Sequence, residues 1–218
     1  MEATEPLENG PPADQLLPPS RTVPELREAA ASCRACDLWR LGSRTVFGEG
    51  AAPADVMLVG EQPGEREDAE GRPFVGPAGA ILDRGLADAG IDRGAAYVTN
   101  VVKHFRFERR GKRRLHQKPD PVHVVACRPW LEAELEAVGP RLLVLLGATA
   151  AQGLLGSSFR VLRDRGQFFP SPLGGATVMA TVHPSSILRA PDPGARERAY
   201  ADFVADLRTA AAWLRESR

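Results

Sequence analysis

Cysteine is scarce in this sequence, which contains only three, at Cys33, Cys36 and Cys127. An odd number of cysteines, two of them in a C-x-x-C spacing, argues against the paired disulfide framework of small secreted proteins. The pattern favours metal binding or redox chemistry instead. Taken alone, Cys33 and Cys36 are compatible with structural thiols, a redox pair or half of a zinc site.

Long hydrophobic runs are also lacking. No apolar stretch approaches the roughly 18 residues that a membrane-spanning helix needs, and the first residues are acidic and Pro-rich, unlike a secretory signal peptide. With 43% apolar and 26% charged residues among 218, the composition is typical of a soluble globular chain. We therefore expect a cytoplasmic protein that has no membrane partner.

Net charge is absent as well, because 28 Lys and Arg residues balance 28 Asp and Glu residues. The balance is not local: residues 103–119, KHFRFERRGKRRLHQKP, contain eight basic residues and a single acid, Glu108. A patch of one sign in a chain of zero net charge indicates a polyanionic partner. The alternative is a solvated basic loop without any partner.

Strand and helix patterns alternate along most of the chain. Short apolar runs predict buried strands at residues 55–60, 96–100, 141–147 and 177–181. Helical patterns cover residues 22–32, 78–90, 120–138 and 149–155, and a closing helix has an apolar stripe from Tyr200 to Leu214. The alternation predicts an α/β fold, a three-layer α/β/α sandwich with a central, mostly parallel four-stranded sheet.

The N-terminal residues do not fit this pattern. Residues 1–21 contain five prolines and four acids and bury little apolar surface, so we expect a disordered tail. Residues 22–218 are expected to form a single domain.

Four motifs follow the predicted strands. GEQPG (60–64) follows the first strand, Asn100 ends the second, GATA (147–150) follows the third and HPSS (183–186) follows the fourth. Since ligands bind at the carboxyl ends of parallel strands, we expect these motifs to gather at one site. Each motif alone is also typical of a turn or of the start of a helix.

Six segments occur in a characteristic order: GEQPG, RPFVGPAG, TNVVK, ACRPWL, LLGATA and HPSSILR. Together they resemble the family 4 uracil-DNA glycosylases of the wider uracil-DNA glycosylase superfamily, over the chain from Cys33 to about Arg189. The insertion GKRRLH (111–116) is similar to the basic loop of the UdgX group. Members of that group excise uracil and remain covalently attached to the DNA through the histidine of the loop.

The resemblance implies a pocket for uracil turned out of DNA, with single-stranded DNA preferred. It assigns Gln62, Phe74 and Asn100 to uracil; Phe74 would stack on the ring, and Asn100 would pair with N3–H and O4. A core aromatic residue and a turn-forming asparagine are the structural alternatives. His183 would donate a hydrogen bond to uracil O2 and stabilise the departing base.

Two further residues are implied at the sugar. Glu61 would lie near C1′, although a glutamate in a Gly-Pro turn is often exposed to solvent. His116 would attack C1′ and form a stable N–C bond. The alternative for His116 is a phosphate contact, which would leave an ordinary glycosylase that turns over.

Phosphate contacts are implied for several residues around the pocket, namely Lys112, Arg113, Arg114, Ser185 and Arg189. No role beyond supporting the GEQPG loop is implied for the acids that follow it, Glu65, Glu67 and Asp68. We expect the protein to act as a monomer and to be associated with the nucleoid.

The family binds a [4Fe-4S] cluster through four cysteines, and Cys33, Cys36 and Cys127 match three of them. His104 stands where the family has the fourth cysteine, directly after the lysine of TNVVK. Imidazole replaces thiolate on iron in Rieske centres, so His104 is the expected fourth ligand. His123, otherwise expected on a helix surface, is the spare candidate. A further alternative is a protein that keeps the iron–sulfur cluster but has no glycosylase activity, and that serves only as a DNA-binding module.

Overall fold

The computed structural model of the protein describes residues 9–217, which contain eight strands and eight α-helices. The strands are β1 (Glu49–Gly50), β2 (Val56–Gly60), β3 (Tyr97–Asn100), β4 (Phe107–Arg110), β5 (Arg113–His116), β6 (Leu142–Leu146), β7 (Phe168–Pro170) and β8 (Thr177–Thr181). The helices are α1 (Val23–Ala30), α2 (Glu65–Glu70), α3 (Pro77–Ala89), α4 (Pro121–Val138), α5 (Ala148–Leu155), α6 (Val161–Asp164), α7 (Pro184–Leu188) and α8 (Pro193–Glu216). Within residues 9–217, no helix is both long enough and apolar enough to cross a bilayer.

The main sheet has the strand order β1-β3-β2-β6-β8-β7. The four predicted strands form its parallel centre, because β3, β2, β6 and β8 pair in parallel. The expected count of four is too low, since β1 and β7 add antiparallel edges to make six. These edge strands span two and three residues, too few to produce an apolar run in the sequence.

Two apolar layers cover the sheet and confirm the three-layer α/β/α sandwich. Because successive strand residues point to opposite faces, Met57 packs with the buried side chains of α4 and α5, whereas Leu58 packs with those of α3 and α8. The residues of β2 and β6 are buried throughout, as expected for central parallel strands covered on both faces.

The N-terminal segment departs from the predicted disordered tail. Ala13–Leu16 forms a turn of 3₁₀ helix, and Ala13 is buried in a small third core with Leu26 and Trp130. The prediction is wrong for this turn because the prolines flank it without preventing Ala13 from packing. Residues 1–8 lie outside the described residues, so the tail stays a prediction there.

The basic segment, expected to be a loop, is a β-hairpin. Strands β4 and β5 pair antiparallel, with Phe107 opposite His116 and Arg110 opposite Arg113. The two-residue turn begins at Gly111, whose φ of +59° suits a tight hairpin turn. Among residues 9–217, β4 and β5 pair with each other and with no other strand.

His123 is not on a helix surface, contrary to expectation. Its side chain is buried in the first turn of α4, where Nδ1 accepts a hydrogen bond from the backbone N–H of Asp120 at 3.0 Å. Nε2 lies 3.0 Å from Asp37 Oδ1. The sequence did not reveal this role because an N3 histidine is an uncommon partner in a capping box.

Candidate active site

A cavity of about 820 Å³ opens at the carboxyl ends of the parallel strands. The structure brings together residues from all four motifs there, including Glu61, Gln62, Asn100, Gly147, Thr149, His183 and Ser185. Phe74, His116 and Arg189 also line the cavity. Lys112, Arg113, Arg114 and the four expected metal ligands do not.

His116 reaches the cavity from the end of β5. Its Nε2 atom lies 3.5 Å from Glu61 Oε1 and 3.0 Å from the amide nitrogen of Gln62. Burial lowers the pKa of His116, an effect that Glu61 opposes and Arg189 reinforces. The imidazole is therefore biased towards its neutral form, in which one ring nitrogen carries a free lone pair.

Gln62 joins the pocket to the base of the hairpin. Its Nε2 donates to the carbonyl oxygens of Arg106 at 3.2 Å and Gln117 at 2.9 Å, and its Oε1 accepts from Arg106 N at 3.1 Å. The side chain is thus fully engaged in holding the hairpin. A contact of Gln62 with uracil stays a prediction.

Glu61 is partly buried, with 21% of its side chain exposed, rather than free in solvent. The hydroxyl of Thr149, in the first turn of α5, donates to Glu61 Oε2 and leaves Oε1 towards His116. Thr149 was missed as a site residue; its position inside the GATA motif was the only signal that pointed to it.

Phe74 and His183 lie side by side in the cavity wall, with ring centroids 6.2 Å apart and planes 28° apart. His183 Nδ1 accepts from the backbone N–H of Ser185 at 3.2 Å, so the neutral ring carries its proton on Nε2. Burial lowers the pKa of His183 to about 4, with Arg189 and His116 contributing. His183 is therefore a neutral hydrogen-bond donor, and Asn100, 2% exposed, adds an amide to the same cavity.

Arg114 is partly buried, with 18% of its side chain exposed. Its guanidinium contacts Asp68 Oδ2 at 2.6 Å and Glu65 Oε1 at 3.1 Å, and it lies over the rings of Phe105 and Phe107 at 5.6 Å and 5.2 Å. In this arrangement it fastens the hairpin to α2, which gives Glu65 and Asp68 a function that the sequence did not reveal. A phosphate contact by Arg114 stays a prediction.

The basic patch is smaller than its sequence suggests. Arg106 pairs with Asp120 and Arg110 with Glu108, and Lys103 is buried. Lys112 and Arg113, at the hairpin turn, make no ion pair with any residue in the range 9–217. Arg109 of β4 and Lys118, which lines the cavity, also make no ion pair within this range. The free positive charge therefore extends from the hairpin turn to the edge of the cavity.

Lys103 forms a buried ion pair with Glu134 of α4, with side chains 1% and 0% exposed. Its Nζ also donates to Thr99 Oγ1 at 2.6 Å and to the carbonyl of Asn100 at 2.8 Å. Glu134 in turn accepts hydrogen bonds from Tyr97 and from the backbone of Gly48, both at 3.0 Å. This network fixes the end of β3, where Asn100 lies.

Cys127 adjoins this network through the backbone of Lys103. All three cysteines are buried; Cys127 Sγ accepts from Lys103 N and Cys33 Sγ from Trp130 Nε1, both at 3.3 Å. Burial is the main cause that raises the pKa of Cys127 to about 12; Lys103 opposes the rise, and Cys36 and Cys33 contribute to it.

His104 is buried nearby, with Nε2 3.0 Å from Thr45 Oγ1. Across residues 9–217, no three His, Cys, Asp or Glu side chains are arranged to hold a metal ion. The chemistry of the donors, three buried thiols and an imidazole, nevertheless suits iron–sulfur ligation.

The family model and the similar proteins that match this chain point to the same family. The model of the family described as "Uracil DNA glycosylase superfamily" matches residues 47–208. A type-4 uracil-DNA glycosylase of Thermotoga maritima is 39% identical over 163 residues, covering 74% of this chain and 81% of the relative. One from Archaeoglobus fulgidus is 36% identical over 178 residues, covering 79% and 85%. One from Sulfurisphaera tokodaii is 32% identical over 178 residues, covering 78% of each.

Proposed function

Because the chain belongs to the uracil DNA glycosylase superfamily, we propose that it excises uracil from DNA and is then captured on the sugar by His116. The main support is the 3.5 Å separation of His116 Nε2 and Glu61 Oε1 in the cavity that Phe74 and Asn100 also line. A histidine that served only as a phosphate contact would not need a carboxylate beside it inside this cavity.

Uracil recognition rests on Asn100 and Phe74. The amide oxygen of Asn100 accepts from uracil N3–H and its NH₂ group donates to O4, a pattern that cytosine cannot match because its edge is reversed. Phe74 stacks on the pyrimidine ring. Both side chains are at least nine-tenths buried, so an unmatched base would leave polar atoms without partners.

Cleavage breaks the bond between C1′ and uracil N1, and the electron pair leaves with the base. Negative charge therefore develops on the uracil ring, including O2. His183 donates from Nε2–H to O2, and its neutral form is secured by the backbone N–H of Ser185 on Nδ1. The uracil anion then takes a proton from solvent.

Capture uses the lone pair on Nε2 of neutral His116. This pair forms a bond to C1′ on the sugar that has lost uracil, and the imidazolium that results loses its Nδ1 proton to solvent. The Glu61 carboxylate offsets the positive charge on the sugar and on the ring as the bond forms. No water has to attack, so the protein remains attached.

DNA approaches the hairpin through Lys112 and Arg113, whose free charges make the encounter dependent on salt. We also propose a preference for single-stranded DNA. A flexible strand gives the hairpin room to close over C1′, whereas a duplex opposes both base extrusion and close approach.

Cys33, Cys36, Cys127 and His104 are proposed to hold a [4Fe-4S] cluster. Bound there, the cluster would cross-link the segment after α1, the segment after β3 and helix α4. The role of these residues is to fix the hairpin's first strand relative to the core, since His104 lies three residues before β4.

A labelled single-stranded oligonucleotide with one uracil tests the proposal. With excess DNA, we expect uracil release to stop at about one equivalent of protein, together with a heat-stable shifted band on a denaturing gel. A thymine-containing strand is the control. Uracil release beyond one equivalent without a band would indicate turnover, and no release would indicate a binding module.

The cluster is tested without any activity measurement. Protein purified without oxygen is expected to be brown, with broad visible absorbance and bound iron. Cys127→Ala is expected to lose the colour. A colourless wild-type preparation that contains zinc would contradict the cluster.

A further inference from the structure

Glu67, in α2, is a buried carboxylate in the wall of the cavity that no step of the proposed reaction uses. It is 8% exposed and lines the cavity alongside Glu61, Gln62 and Phe74. We infer that Glu67 is a positioning residue. It fixes the loop that contains Glu61 relative to the loop that contains Phe74.

The two carboxylate oxygens bind two different loops. Oε2 accepts from the backbone N–H of Gly64 at 3.0 Å, and Oε1 accepts from that of Gly76 at 2.7 Å. Gly64 closes the loop that begins with Glu61 and Gln62, whereas Gly76 lies two residues after Phe74. A single side chain therefore spans both walls of the pocket.

Both donors are the N-cap residues of helices, Gly64 of α2 and Gly76 of α3. The first N–H groups of a helix lack partners within it, and the positive end of the helix dipole favours an anion. Glu67 meets this need at two helices at once. A cap for α2 alone would need only the contact with Gly64.

The fit around the carboxylate is tight. A Cβ atom on Gly64 would lie 2.7 Å from Glu67 Oε2, and one on Gly76 would lie 2.9 Å from Oε1. Either contact is closer than packing allows, so the carboxylate occupies space that exists only because both neighbours are glycines. Such a closely packed bridge leaves the two loops little freedom to slide.

Phe74 shows why the bridge matters. Its φ is +56°, a conformation that is uncommon for a bulky residue and persists only when the surroundings enforce it. The hydrogen bond from Gly76 to Glu67 fixes the backbone two residues away. Without it, we expect Phe74 to relax and the stacking ring to lose its alignment with Glu61 and His116.

The test compares Glu67→Gln with Glu70→Gln, a change to an exposed carboxylate in the same helix that pairs with Arg66. Glutamine keeps the size of Glu67 but presents an NH₂ group to one of the two backbone donors. This part of the inference rests on the proposed function, so the readout is single-turnover uracil release as a function of protein concentration. We expect the Glu67 variant to lose roughly 10- to 100-fold, and the Glu70 variant to match wild type.

A double-mutant cycle with Phe74→Ala separates positioning from general damage. If Glu67 acts through Phe74, the loss caused by Glu67→Gln largely disappears in the Phe74→Ala background. Additive losses, or wild-type kinetics in Glu67→Gln, would overturn the inference.

Amide hydrogen exchange provides a readout that does not depend on catalysis. Exchange in residues 72–79 is expected to be faster in Glu67→Gln and unchanged in Glu70→Gln. Unchanged exchange in the Glu67 variant would overturn the bridge. If the wild-type protein releases no uracil, the proposed function fails, and exchange still decides whether Glu67 holds the loop.

Discussion

Replacing His116 with alanine is expected to abolish the heat-stable protein–DNA product while uracil release continues. The residues proposed to bind uracil and to stabilise its departure, Asn100, Phe74 and His183, are untouched by the change, and electrostatic stabilisation of the leaving group contributes most of the rate. Water would then complete the reaction. The variant should therefore release many equivalents of uracil where the wild-type protein releases about one.

A matched control is Arg113→Ala, which removes an exposed charge from the same hairpin. We expect this variant to form the covalent product at low salt, with weaker binding and a shallower dependence on salt. The measurement is a denaturing gel together with quantified free uracil. A heat-stable band in the His116 variant would show that another nucleophile performs the capture.

Replacing Lys103 with methionine is expected to cause a large loss of folding stability. The change leaves Glu134, 0% exposed, without its cationic partner and also removes the hydrogen bonds to Thr99 and Asn100. Removing one partner of a buried ion pair typically costs about 3–5 kcal/mol. For a domain of this size, that corresponds to a fall in Tm of roughly 6–20 °C.

Two further variants serve as comparisons for the thermal unfolding of Lys103→Met. Lys112→Met alters an exposed lysine of the hairpin turn and should change the free energy of unfolding by less than about 0.5 kcal/mol. Combining Lys103→Met with Glu134→Gln removes both charges and should recover part of the loss. A Lys103 variant as stable as the Lys112 variant would contradict the assigned role of the buried pair.

The parallel centre of the sheet could be predicted from the sequence because its strands are apolar throughout. Residues 142–146, LLVLL, have no polar position, and central parallel strands are the usual setting for such runs. The edges could not be predicted. Strands β1 and β7 are too short to form a pattern, and their pairing depends on partners that the tertiary fold supplies.

The members of the candidate site could be predicted better than their interactions. Glu61, Asn100 and His183 lie at or just after the carboxyl ends of parallel strands. The topology of a parallel sheet brings such positions together. Thr149 donates to a carboxylate 88 residues away, and Arg114 pairs with one 46 residues away. Sequence spacing contains no information about contacts of this kind. Lys103 was counted in the basic patch, although it is buried, because a run of charged residues in the sequence does not reveal which way each side chain points.

The hairpin of β4 and β5 lies outside the six-stranded sheet. Within the described chain its two strands pair with no other strand, so residues can be added at its turn without shifting the register of the six-stranded sheet. The entropic cost of lengthening a loop grows slowly with its length. The length of the hairpin can therefore change while the six-stranded sheet keeps its strand order and register.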